Sequence, residues 1–294
     1  MSNIIDGSAV AAQIRSELKV KSEILFSEKG IKPGLALLLV GNNPASEIYV
    51  NMKFKACGEI GFHSIIERLP DSASEEEVLG IIFNWNHNPE IHGILVQLPL
   101  PKQINEFKVL NSISPDKDVD GFHPVNAGKL MLGLPGFVPC TPAGIMELFK
   151  RYEINLKGKH AVVIGRSNIV GKPIANLMLQ KSPNANAVVT LCHSAAPDLS
   201  VFTKQADILV AAIGVAEFIK GDMVKEGVVV IDVGINRVDD PSKPKGYKVV
   251  GDVEFETVAP KSHLITPVPK GVGPMTIAML MSNTYDSAIG RYAS

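Results

Sequence analysis

The chain has 294 residues, about two domains at the usual ~150 residues each. Apolar residues make up 46% and charged residues 20%, ordinary globular proportions that exclude a disordered chain. The 29 Lys and Arg nearly cancel the 30 Asp and Glu, and a net charge of -1 excludes a strongly basic nucleic-acid binder.

Short apolar strands alternate with helical patterns, which predicts α/β units around parallel sheets. Residues 6–29 read as a helix, with Val10, Ile14, Leu18 and Leu25 near helical spacing. Residues 35–40 read as a buried strand. Asn43 and Pro44 then suit an N-cap and a first helical position, so a helix is expected through about Gly58. A strand at 62–68, a helix at 74–86 led by Glu75, Glu76 and Glu77, and a strand at 93–98 follow. Residues 111–141 are rich in Pro, Gly, Asp and Asn and read as a long functional loop. A helix at 142–152 with Thr141 as N-cap carries the chain onward. From Gly158 the pattern restarts: strands at 160–164, 187–191, 208–213 and 228–233, a helix at 173–180, and a last helix at 274–289.

No apolar run approaches the ~20 residues that span a bilayer, and the N-terminus has no basic segment leading an apolar core. Cys57, Cys140 and Cys192 are odd in number and far apart. A disulfide framework is therefore not expected, and a reducing cytoplasm is the predicted setting. The seven histidines form no metal-binding pattern, so no metal is expected, nor a membrane or nucleic-acid partner.

Two groups of residues carry chemistry. In the second half, Gly165-Arg166-Ser167-Asn168-Ile169-Val170-Gly171 joins a strand to a helix, where helix N–H groups suit a pyrophosphate. The middle glycine of the dinucleotide fingerprint is missing, so an ordinary strand–helix turn is as good a reading of this segment alone. The next strand ends Thr190-Leu191-Cys192-His193-Ser194 with no acid. An acid there would bind a free ribose 2′-hydroxyl; its absence, with Arg166 and Ser194 at hand, favours NADP over NAD. Gly214 and the segment Asp232-Val233-Gly234-Ile235-Asn236 end two later strands and let backbone approach a nucleotide. In the first half, Tyr49 and Lys53 share a helix face four residues apart. Tyr49 suits stacking on a flat heterocycle and Lys53 proton transfer, although a solvated surface lysine is the commoner reading of that spacing. Gln97 ends an apolar strand, where open α/β sheets place ligands. Of Asp116, Asp118 and Asp120, one is expected to grip an amidine-like edge and the others to cap turns; no calcium loop is present.

Taken in order, six segments resemble the bifunctional methylenetetrahydrofolate dehydrogenase/methenyltetrahydrofolate cyclohydrolase family, the FolD type. They are Ser46-Glu47-Ile48-Tyr49-Val50 with Lys53, Val96-Gln97-Leu98-Pro99-Leu100-Pro101, Asp116-Lys117-Asp118-Val119-Asp120-Gly121-Phe122, Pro139-Cys140-Thr141-Pro142, Gly165-Arg166-Ser167 with Val170-Gly171-Pro173, and Gly271-Val272-Gly273-Pro274-Met275-Thr276. The resemblance implies two α/β domains with mainly parallel sheets and a cleft between them. Residues 1–141 with 274–294 would form the folate-binding catalytic domain, and 142–273 a Rossmann-like NADP-binding domain. It implies oxidation of 5,10-methylenetetrahydrofolate by NADP+, hydrolysis of the methenyl product to 10-formyltetrahydrofolate, and a homodimer. By the same resemblance Lys53 is the key catalyst, Gln97 tunes it, Tyr49 stacks on the folate and Asp120 grips the pterin. Gly271 and Pro274 would line the substrate. Gly165, Arg166, Ser167, Ser194 and Ile235 would hold the cofactor, Arg166 and Ser194 at its 2′-phosphate. Intact Lys53 and Gln97 argue against a dehydrogenase with little cyclohydrolase activity, and a non-catalytic folate- or nucleotide-binding protein would be expected to lack Lys53 or Asp120, both of which are present. Three departures stand out. Lys270 occupies a place where the family commonly has Gly, which predicts a strained loop if that place needs positive φ. Ala196 stands where a Thr is frequent, and residues 181–186 lengthen one helix–strand connection.

Overall fold

A computed structural model describes residues 3–244 and 246–292. Two compact units emerge: Ala12–Cys140 with the chain from Ile277 onward, and the N-terminal segment through Ala11 with Thr141–Thr276. Both are built around parallel sheets.

Helix α1 (Gly7–Lys29) buries Ile14, Leu18 and Leu25 from the predicted stripe. Strand β1 (Gly34–Val40) is buried at all seven residues. It is central, and a strand covered on both faces carries no polar side chains. Asn43 caps α2 (Pro44–Glu59), accepting from the N–H groups of Ala45 (3.0 Å) and Ser46 (3.2 Å) with Pro44 in the first turn. Strand β2 (His63–Leu69) is half exposed because it forms an edge. Ser74 and Glu77 form a reciprocal capping box on α3 (Glu75–His87), which buries Val78, Ile82 and Trp85. Strand β3 (Gly93–Val96) completes the order β2-β1-β3. It ends one residue before Gln97, whose N–H still donates to Leu38 O at 2.9 Å.

Residues 111–141 are not the long loop that composition predicts. After α4 (Glu106–Ser112) they contain α5 (Pro124–Leu132) and the start of α6 (Cys140–Arg151). Helix α5 escapes an apolar-periodicity reading because polar contacts anchor it. His123 Nδ1 accepts from Val125 N–H, and Asn126 Nδ2 donates at 2.9 Å to both Asp118 Oδ2 and Pro115 O. Thr141 is not an N-cap: it lies inside α6, and its hydroxyl hydrogen-bonds that of Thr276 at 2.8 Å.

The second unit carries β4 (His160–Ile164), α7 (Gly171–Leu179), β5 (Val188–Cys192), the short α8 (Ser200–Thr203), β6 (Ile208–Ala211) and β7 (Val228–Asp232). An antiparallel ribbon, β8 (Asn236–Asp239) with β9 (Tyr247–Val250), then α9 (Phe255–Val258) and β10 (Ser262–Ile265) follow, none of which the sequence pattern predicts. The sheet order is β10-β7-β6-β4-β5. The chain moves from β4 outward to β5 and then returns to the other side of β4 with β6. The carboxyl ends of β4 and β6 therefore flank a topological switch point, where such sheets bind ligands. Ile5 N–H donates to Ile265 O at 2.8 Å, which ties the N-terminal segment to this sheet. Helix α10 (Val272–Ala288) closes the chain.

Candidate active site

In the first unit the structure brings Lys53 and Gln97 together from α2 and the end of β3, 44 residues apart. Lys53 Nζ donates to Gln97 Oε1 at 3.0 Å. Gln97 Nε2 donates to Leu98 O at 2.8 Å, which fixes the amide so that its oxygen faces the ammonium. Tyr49 lies one turn before Lys53 and is 40% exposed, as a stacking platform requires. Asp120 shares this pocket of charge. Burial pushes its carboxyl above the ordinary carboxylate range, while the Lys53 ammonium and a hydrogen bond from Cys140 pull it back. The buried Cys140 thiol is pushed well above its usual value by burial and by Asp120, so it stays protonated, and its S–H has two acceptors in reach, Val119 O at 3.4 Å and the Asp120 carboxylate.

The three aspartates divide their work. Asp118 is 2% exposed and accepts from Phe122 N–H (3.1 Å), His123 N–H (2.8 Å) and Asn126 Nδ2. It is the turn-capping acid, pushed up to about 6 by burial. Asn283 on α10 braces the backbone beside Asp120, donating to Val119 O (2.8 Å) and Val138 O (3.1 Å). Sequence spacing gives no sign of Cys140 or Asn283 in this role, since their partners lie up to 164 residues away.

In the second unit Gly165 has φ 116°, and a Cβ on it would lie 2.0 Å from Ala212 O. A Cβ on Gly171 would lie 1.9 Å from Gly165 O. The turn thus needs both glycines for its own closure and leaves its outer face to backbone N–H groups and Arg166. Ser167 turns inward, its Oγ accepting from Val170 N–H (3.1 Å) and Gly171 N–H (3.2 Å) at the start of α7. Arg166 Nη1 lies 3.4 Å from His193 Nε2, with Ser194 exposed beside them. His193 Nδ1 lies 3.3 Å from Ala195 N–H, within the turn that follows β5. The Arg166 guanidinium and the exposed Ser194 hydroxyl offer donors at this strand end, an arrangement that fits an anion such as a 2′-phosphate. Ala196 N–H closes the same turn onto His193 O at 3.0 Å, without a threonine hydroxyl.

Ile235 is 53% exposed, and its Cδ1 lies 3.6 Å from where a Cβ on Gly273 would sit. The Ile235 loop and the first turn of α10, which holds Pro274 and follows Gly271, therefore adjoin within this unit. A Cβ on Gly271 would meet Pro267 O at 2.4 Å. Lys270 has φ 83°, so the strain expected at this departure is present.

Comparison with known proteins decides the family. Residues 5–120 match the family model for the tetrahydrofolate dehydrogenase/cyclohydrolase catalytic domain, and residues 139–291 the model for its NAD(P)-binding domain. The chain belongs to the tetrahydrofolate dehydrogenase/cyclohydrolase family. A bifunctional FolD protein of Chloroherpeton thalassium is 57% identical over 286 residues, 97% of each chain. Among solved structures, the FolD enzyme of Campylobacter jejuni is 53% identical with a TM-score of 0.93, covering 99% of this chain and 100% of that one. A Trypanosoma brucei FolD solved with NADP and an inhibitor is 38% identical, also at a TM-score of 0.93, covering 100% and 99%. Membership in the dehydrogenase/cyclohydrolase family agrees with a dinucleotide turn on the second unit and a lysine–glutamine pair on the first. Among the described residues, no helix is long and apolar enough to cross a membrane.

Proposed function

We infer that this chain oxidises 5,10-methylenetetrahydrofolate to 5,10-methenyltetrahydrofolate with NADP+ and hydrolyses the product to 10-formyltetrahydrofolate. The observation that carries the reading is the Lys53–Gln97 pair at 3.0 Å beside half-buried Asp120. NADP+, when bound, supplies the hydride acceptor. The carbon that loses hydride is flanked by two nitrogens that stabilise the resulting cation, so this step needs orientation more than a strong base. Tyr49 would stack on the pterin, and Asp120 would pair with its amino edge as a bidentate acceptor. Hydrolysis differs: water must add to the cation and protons must move as the ring opens. Lys53 would carry those protons. Its neutral partner Gln97 holds the amine in place without locking it into an ion pair.

Gly165, Arg166, Ser167, Ser194 and Ile235 would hold the cofactor. Ser167 acts by shaping the turn, and Arg166 with Ser194 receives the 2′-phosphate. Gly271 and Pro274 would form the edge of the folate site. A homodimer in the cytoplasm completes the reading, and sedimentation velocity checks the dimer.

The test is an absorbance assay with methylenetetrahydrofolate and each nicotinamide cofactor, followed through formation and decay of the methenyl product. NADP+ is expected to give a kcat/KM at least roughly tenfold above NAD+, about 1.4 kcal/mol. Equal values would refute the 2′-phosphate assignment, and a methenyl product that decays no faster than in buffer would refute the hydrolase.

A further inference from the structure

Two carboxylates lie buried behind the loops that end β6 and β7. Asp252 is 0% exposed and Asp232 is 4% exposed. Asp252 Oδ2 accepts from the N–H groups of Ile213 (2.6 Å) and Gly214 (2.9 Å), just beyond β6. Its Oδ1 accepts from Asn236 Nδ2 at 2.9 Å, next to Ile235. Asp232 in turn holds Asp252: its Oδ1 accepts from Asp252 N–H (2.9 Å) and Gly234 N–H (3.0 Å), and its Oδ2 from Val253 N–H (3.0 Å). The surrounding glycines are shaped to these acids. A Cβ on Gly234 would lie 2.2 Å from Asp252 Oδ1, and one on Gly251 would lie 1.7 Å from Asp232 Oδ2.

We propose that Asp252 is a positioning residue for nucleotide binding, a clasp that fixes the loop at 212–214 against the segment at 234–236 so that both present backbone to NADP+. Ile213 and Gly214 lie beyond β6, so their N–H groups have no ladder to satisfy them, and Asn236, the first residue of β8, reaches Asp252 with its side-chain amide. One carboxylate offers two oxygens to three donors, two from one loop and one from the other, and charge strengthens each bond. An amide of the same shape has a single oxygen, and its NH2 would face the NH2 of Asn236. The residue belongs to the second unit, and Lys53 and Gln97 to the first, so its effect is assigned to the nucleotide and not to methenyl hydrolysis. The inference rests on the reading of this unit as the NADP site.

The experiment compares wild type, Asp252→Asn, the milder Asn236→Ala, and the double variant, by NADPH fluorescence titration and by methenyl hydrolysis without nucleotide. Leaving a buried N–H without its acceptor predicts a roughly tenfold weaker Kd for Asp252→Asn. Asn236→Ala should weaken it by a few fold, and the double variant should match Asp252→Asn alone, because Asn236 acts through Asp252. Hydrolysis should stay within about twofold throughout. Unchanged Kd in both single variants, parallel loss of hydrolysis and NADPH binding, or additive effects in the double variant would overturn the positioning role. A wild type that hydrolyses methenyltetrahydrofolate but binds no NADPH would overturn the nucleotide reading instead.

Discussion

At the scale of single residues, the chemistry turns on how buried polar groups are partnered. In its proposed role Asp120 must be ionised to accept two hydrogen bonds from a pterin edge, yet burial favours its neutral form. The Cys140 thiol, shared between Val119 O and the carboxylate, offsets part of that. Removing the donor moves the Asp120 pKa further upward, so folate affinity should appear only at higher pH. The acid limb of kcat/KM for methylenetetrahydrofolate is expected to shift to higher pH in Cys140→Ala and to return in Cys140→Ser, whose hydroxyl also donates. Superimposable pH profiles for wild type and the alanine variant would remove Cys140 from this role. The thiol is 2% exposed, so solvent does not substitute for it.

At the scale of elements, the loop that leads into α10 holds the clearest conflict between sequence and backbone. Lys270 sits at φ 83°, where a side chain costs ~1–2 kcal/mol relative to glycine. Lys270→Gly should therefore stabilise the protein by about 0.5–1 kcal/mol after the added freedom of the unfolded glycine is subtracted. Denaturant melts check this, and a destabilised variant would show that the Lys270 side chain makes a compensating contact. The same contrast explains which elements are legible in the sequence. Asn43-Pro44 and Ser74 with Glu77 announce α2 and α3 because a cap is a local event within four residues. Strand β1 is legible because seven consecutive buried positions leave an unbroken apolar run. Helix α5 is hidden because its anchor, Asn126, bonds Asp118 and Pro115, partners that no periodicity marks. The β8–β9 ribbon is hidden because its first strand alternates between exposed and half-buried without an apolar face. Of the proposed site, Lys53, Gln97, Tyr49 and Arg166 are legible as candidates from residue type and position near strand ends or on one helix face, whereas spacing leaves Asp116, Asp118 and Asp120 equal and only the family resemblance points to Asp120. Cys140, Asn283 and Asp252 are not, because their partners come from distant parts of the chain.

At the scale of the whole molecule, buried acids make stability depend on pH. Burial raises Asp232 from 3.8 to about 7, against backbone donors that pull it down. The neutral form is the one the fold favours. Its stabilising contribution is complete below about pH 4 and is lost as pH rises to about 7, a difference on the order of 4 kcal/mol. Asp118, raised from 3.8 to about 6, adds a smaller term of the same sign. An Asp232→Asn variant has no such ionisation. Whatever its offset at pH 4, its melting temperature relative to wild type should rise between pH 4 and 8. A difference that stays flat across that range would show that Asp232 ionises in the fold as easily as in water.

The claim on which the whole account stands is that Lys53, held by Gln97, carries the protons of methenyl hydrolysis. It is tested most directly by following methenyltetrahydrofolate decay with Lys53→Met, whose side chain keeps most of the volume and loses the amine. The account predicts decay at the rate seen in buffer alone, with NADPH affinity and the melting curve matching wild type. Hydrolysis at the wild-type rate in that variant would contradict it.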